Sequence, residues 1–284
     1  MALLSALYAD LFALLPVMLR ALVAVSIVAS ATWLISLYLD RVSVANVSAP
    51  LMILAAVLAV ANASGVSSPV SMVLVAMVAI WALRLSLFLI ARDRNQPEDR
   101  RYRLLRRRAS PHFALKSSFL IFLPMTAITW FLSGLFATVL TLDTDTNGLT
   151  MLHWSNYHTG AVILWTVGLM IETVADKQLY DFNRQVVRQQ YTLDQGLWRY
   201  SRHPNYFGEW IMWLAWFVFA IPSGSALIVL APMMVTWLLL KGTGIALMEK
   251  GICQRRPDYA AYQRSTSAFF PAPPSEAVNR GLYD

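Results

Sequence analysis

Long apolar runs dominate the hydropathy pattern, and short polar segments separate them. Seven runs approach the roughly 20 residues that a helix needs to cross about 30 Å of hydrocarbon: 17–39, 47–63, 68–91, 117–140, 159–178, 206–221 and 224–243. The last two form a tight hairpin broken at Pro222-Ser223-Gly224. Strands of a membrane barrel would show short alternating segments instead, so the pattern predicts helices. Residues 2–16 are also apolar, with Leu3, Leu7, Leu11 and Leu14 at helical spacing, and are expected to lie flat at the membrane interface. No basic region precedes them, which argues against a signal peptide.

Composition agrees with this reading. The chain has 284 residues, 57% hydrophobic and only 14% charged, with a mean hydropathy of +0.52. Soluble domains carry about 25% charged residues. Disorder, collagen-like repeats and disulfide scaffolds are excluded, and the single cysteine, Cys253, leaves neither an intrachain disulfide nor a cysteine zinc site. Histidines 112, 153, 158 and 203 are too scattered to form a metal set.

The formal charge of +7 is distributed unevenly. Segment 92–116 holds nine basic residues, from Arg92 to Lys116 and including Arg106-Arg107-Arg108. Segment 179–205 adds Arg184, Arg188, Arg199 and Arg202, and the tail adds Lys250, Arg255, Arg256 and Arg264. The alternate segment 141–158 carries Asp143 and Asp145 without a Lys or Arg. Seven crossings put every basic segment on one face, which predicts an outside N-terminus and a cytoplasmic C-terminus. The expected architecture is therefore an all-α integral membrane protein with about seven spans in a single membrane domain, 1–284, of a bacterial inner membrane.

Ionisable residues inside a span are costly and should face protein or a wet cavity. Arg84 lies inside the third span, and Glu172 and Asp176 lie four residues apart on one face of the fifth. They could pair to hold helices together, but a polar pocket open to the cytoplasm fits the neighbouring sequence better. That sequence runs Leu197-Trp198-Arg199-Tyr200-Ser201-Arg202-His203-Pro204-Asn205-Tyr206-Phe207-Gly208-Glu209. Pro204 suits a helix start, and helix-start N–H groups after a basic stretch suit a phosphate. Asn205 and Glu209 share a helix face, spaced to bond ribose or amide groups. On the same side lie Glu98-Asp99-Arg100-Arg101-Tyr102 after the third span, and Glu249 with Arg255-Arg256-Pro257-Asp258-Tyr259-Ala260-Ala261-Tyr262 after the seventh. Tyr259 and Tyr262 either stack on an adenine or pack the tail. The Trp210, Trp213 and Trp216 stripe reads as helix packing. No GxGxxG, GxxxxGK[ST] or Ser-His-Asp arrangement is present.

The Ser201–Glu209 run, Glu249, the Arg-Pro-Asp-Tyr-Ala-Ala-Tyr tail ending in Phe270-Pro271, and the Trp81-x-x-Arg84-Leu85 and Glu98–Tyr102 segments together resemble the steroid 5-alpha-reductase C-terminal family. The resemblance is to its bacterial DUF1295 branch and covers about residues 75–271. It implies a seven-helix fold that binds NADPH from the cytoplasmic side and reduces the C=C bond of an enone in a steroid-like or other lipid. Glu172, Asp176, Arg202, His203, Asn205, Tyr206 and Glu209 are then expected to contact cofactor. Arg84, Arg92, Arg101 and Tyr102 complete the phosphate and ribose side, with Glu249, Arg256, Tyr259 and Tyr262 from the tail. No residue is assigned as the proton donor. The chain departs from the animal reductases, which carry a Gln-Glu pair in the second span; here 40–63 has none. Two other readings compete: an S-adenosylmethionine-dependent methyltransferase of the isoprenylcysteine carboxyl type, and a non-enzymatic lipid-binding membrane protein.

Overall fold

A computed structural model describes residues 2–66, 68–94, 96–143, 152–185, 191–242, 244–249, 252–253, 256 and 258–275. Arg188, Asp145, Lys250, Arg255 and Pro257, noted above for charge or motif, lie outside the described residues. The chain is all-helical, 80% helix, with no strand among the described residues. Five helical stretches are long and apolar enough to cross a membrane: Asp10–Tyr38, Val44–Ser64, Pro69–Asp93, Phe113–Thr141 and Asn156–Asn183. By its internal contacts the chain divides into two compact units, Met1–His158 with Ala220–Ala231, and Thr159–Phe219 with Pro232–Asp284.

The first unit is built on α1 (Ala2–Tyr38), α2 (Val44–Ser64), α3 (Pro69–Asp93), a short α4 (Arg100–Arg108), α5 (Phe113–Ser117) and α6 (Leu123–Leu142). Local chemistry sets the boundaries. Gly65, at φ 67°, closes α2 in the left-handed conformation, and the Ser68 hydroxyl caps α3 by accepting from the Ser71 N–H, with Pro69 in the first turn. Asp99 caps α4 by accepting from the Arg101 N–H. One widened π-helical turn, Ser118–Phe122, joins α5 to α6. Pro124 follows in the first turn of α6, where its missing N–H cannot continue the ladder.

Helix α1 packs on α2 and α6, and α2 packs on α3 and α6. The buried stripe of α1 is Leu14, Ala21, Val25 and Ala29; that of α2 is Met52, Ile53, Ala56, Val57 and Val60. Buried likewise are Leu74, Val78 and Trp81 of α3 and Leu132, Phe136 and Leu140 of α6, at helical spacing. Residues 2–16 are not a separate surface helix. They run on into α1 without a break at Pro16, so the element expected to lie flat is the first part of one long rod.

The second unit contains α7 (Asn156–Asn183, from Thr159 onward), α8 (Pro204–Ala220, as far as Phe219), α10 (Ile245–Glu249) and α11 (Tyr259–Ser265); α9 (Leu230–Trp237) enters it at Pro232. The 17 residues of α8 reach about 25 Å, short of a full crossing. Ala226–Gly242 is likewise a shorter apolar helix.

Candidate functional site

Two glycines place the polar groups of the second unit. A Cβ on Gly208 of α8 would lie 2.6 Å from the Glu172 backbone nitrogen of α7, and one on Gly168 would lie 2.8 Å from the Gly208 carbonyl oxygen. The two helices therefore touch backbone to backbone, and only glycine fits at the crossing. Closeness there sets Glu172 and Asp176, each 4% exposed, beside the start of α8. Asn205 donates from Nδ2 to Asp176 Oδ1 at 3.2 Å. Its Oδ1 is buried and meets no hydrogen-bond donor among the described residues. One turn on, Glu209 accepts from Trp213 Nε1 at 2.8 Å.

The approach to α8 is held on several sides. Gly196, at φ 62°, lets the chain turn tightly over Gln178, whose side-chain oxygen accepts from the Leu197 N–H at 3.1 Å. Trp198 Nε1 donates to the Ala175 carbonyl at 3.1 Å. The Ser201 hydroxyl, fully buried, donates to the Phe269 carbonyl at 2.8 Å and accepts from the His203 N–H. Tyr206 stacks on the His203 ring at 5.5 Å.

Arg202 is bound by groups of the chain itself. Its Nε and Nη2 donate to the two Glu249 carboxylate oxygens at 2.7 and 3.0 Å, and its Nη1 donates to the Gln263 and Thr266 carbonyls. Glu249 also takes hydrogen bonds from His203 Nε2, the Tyr259 hydroxyl and Gln263 Nε2. Burial alone would raise the Glu249 carboxyl, but the bonds from His203, Arg202 and Gln263 outweigh it and hold the group far below the usual carboxylate range. Burial and then the Glu249 charge push the Tyr259 hydroxyl up, and burial raises Tyr262. The Tyr262 hydroxyl donates to the Trp198 carbonyl. Of the two roles open to Tyr259 and Tyr262, the structure shows them packing the tail onto the loop. Arg256 opens the turn into α11, its carbonyl accepting from the Tyr259 N–H.

Arg84, Arg92, Arg101 and Tyr102 belong to the first unit. Arg84 is half-buried on α3, one turn from the buried Trp81. Arg92 pairs with Asp93 at 2.7 Å, and Arg101 with Asp99 at 2.9 Å. The Tyr102 hydroxyl donates to Asn46 Oδ1 at 2.8 Å, joining α4 to α2, and burial raises its pKa. Asp99 is pulled below the carboxylate norm, the bonds and charge of Arg101 outweighing burial.

Within the second unit the predicted residues form a helix-crossing set (Glu172, Asp176, Asn205, Glu209) and a tail clasp (Arg202, His203, Glu249, Tyr259, Tyr262). Sequence reasoning passed over Gly168, Gln178 and Gln263, and gave Ser201, quoted within the motif, no role. Gly208 stood within the motif, but a glycine in a helix names no partner. Ser201 and Gln263 act through neighbours 61 or more residues away or through a carboxylate 14 residues upstream, neither of which spacing reveals.

A family model described as "Protein of unknown function (DUF1295)" matches residues 32–266. An uncharacterized protein of Schizosaccharomyces pombe is 29% identical over 134 residues, covering 39% of this chain and 38% of the relative. The chain therefore spans well under half the length of the curated relative that it matches. No solved structure matches.

Proposed function

The chain belongs to the DUF1295 family, and on that premise we propose that it is a multi-pass membrane reductase using NADPH to reduce the C=C bond of a lipid enone. In this reading α8 and Ala226–Gly242 complete seven crossings, with the N-terminus outside and the C-terminus in the cytoplasm.

One observation supports it above the rest: the glycine crossing of α7 and α8, which gathers two carboxylates and a half-satisfied amide in a buried setting. Polar and ionisable groups gathered in a buried setting concentrate at functional sites. The donor set fits part of a nicotinamide dinucleotide. Carboxylates and an amide suit ribose hydroxyls and a carboxamide, which donate and accept in turn. The phosphate side fits less well, because Arg202, Arg92 and Arg101 already hold carboxylates.

When bound, the dinucleotide supplies the hydride. Asp176 orients the Asn205 amide, leaving its oxygen to accept from the cofactor, and Trp213 fixes the Glu209 carboxylate. Arg202 acts at a distance by tying the tail to the loop that starts α8.

The test is ligand-linked thermal stabilisation of the purified protein. NADPH at a hundred times its dissociation constant should add about 2.7 kcal/mol of stability, and Asn205→Ala should remove most of that shift. Stabilisation by S-adenosylmethionine without NADPH would establish the methyltransferase reading instead, and a response to neither would leave a lipid-binding protein.

A further inference from the structure

Helix α4 has two faces. Tyr102, Leu105 and the following Ala109 pack on a small apolar cluster of Val42, Ala45, Phe113 and Phe122. Arg106 is part of this structural side: it bonds the Asp40 carboxylate at 2.6 Å, pairs with Glu98 at 3.3 Å and lies over the Phe113 ring. The opposite face carries Arg100, Arg103, Leu104, Arg107 and Arg108, all exposed. Their spacing, i, i+3, i+4, i+7 and i+8, is that of one continuous helical stripe.

None of these four arginine side chains bonds or pairs with a described residue. Acidic groups are near at hand, since Asp40, Asp93, Glu98 and Asp99 all lie in the same unit, but Arg106, Arg92 and Arg101 take them. The stripe is therefore a concentrated positive surface with its local counter-charges already used.

Placement identifies what it meets. Helix α4 begins seven residues after a candidate span ends at Asp93 and finishes five residues before the next begins at Phe113. A fully extended link of that length reaches roughly 25 Å at most, so both ends of α4 are tethered to membrane-crossing helices. We infer that the Arg100–Arg103–Arg107–Arg108 face of α4 binds the phosphate head groups of anionic phospholipids at the bilayer surface. The concentrated positive charge suits this because basic residues beside an anionic bilayer surface are attracted to its head-group phosphates. Leu104, 41% exposed in the middle of the stripe, sits at the acyl boundary.

The full chain, purified in neutral detergent, is titrated with short-chain phosphatidylglycerol or phosphatidylcholine while its unfolding midpoint is read. Phosphatidylglycerol raises the midpoint, phosphatidylcholine does not, and the rise shrinks with added salt. A basic residue near an anionic surface is worth roughly a fivefold change in affinity. The R100Q/R103Q/R107Q variant therefore needs on the order of a hundredfold more lipid for half-saturation, whereas R100K/R103K/R107K keeps the response because its charge is unchanged. An unaltered titration in the glutamine variant overturns the inference, and so does an equal rise with inorganic phosphate. Loss of the response in the lysine variant overturns it as well.

Discussion

Arg202 is the residue whose role the structure changes most. Its basic neighbourhood before a helix start reads as a phosphate anchor, yet its partner is Glu249, 47 residues downstream. A sequence displays charge but not counter-charge at such separations, which is why the clasp was not legible. Both side chains are buried, 11% and 14% exposed, and removing one member of a buried pair typically costs about 3 kcal/mol or more. Glu249→Gln should therefore lower the unfolding midpoint of the apo protein markedly. The pH dependence has a definite sign. The folded carboxyl lies below its unfolded value of about 4.3. Its contribution is thus complete above that value and is lost as pH falls through it toward the folded pKa. Midpoints measured from pH 7 to pH 3 should decline more steeply in the parent than in Glu249→Gln.

At the level of elements, glycines of identical appearance separate by geometry. Gly160 and Gly168 both sit in α7, but a Cβ on Gly160 meets nothing within 4 Å, whereas one on Gly168 meets the α8 backbone. Gly160→Ala should be neutral or add up to about 1 kcal/mol. Gly208→Ala should cost about 1–3 kcal/mol by overpacking, and should weaken cofactor stabilisation along with it. Unfolding of the two variants side by side checks the crossing. Loss of the α4 cap in Asp99→Ala should cost about 1 kcal/mol, read in the same assay. Helices themselves were the legible part. The runs 47–63 and 159–178 fall inside helices, and 68–91 does so except for Ser68, the cap, because twenty apolar residues leave the backbone no other way to satisfy its hydrogen bonds. Their ends were less so: α7 runs on to Asn183, since charged residues such as Lys177 and Asp181 pair one turn apart and extend it beyond the apolar run.

For the whole molecule, orientation has a built-in reporter. Cys253 is the chain's one cysteine, and it is exposed. With a cytoplasmic C-terminus, a membrane-impermeant maleimide should leave it unlabelled in intact cells and label it in inverted vesicles; the reverse result would invert the topology. The tail clasp has a consequence for how the protein is made. The groups that satisfy Arg202, Ser201 and Trp198 come from residues 249–269, which are synthesised after α7 and α8. Translation completes α7 and α8 before that stretch has left the ribosome, so the second unit cannot close until residues 249–269 have emerged. A polypeptide stopped before Glu249 would carry α7 and α8 and still leave the entrance to α8 unlatched, an open form for quality-control proteases to recognise.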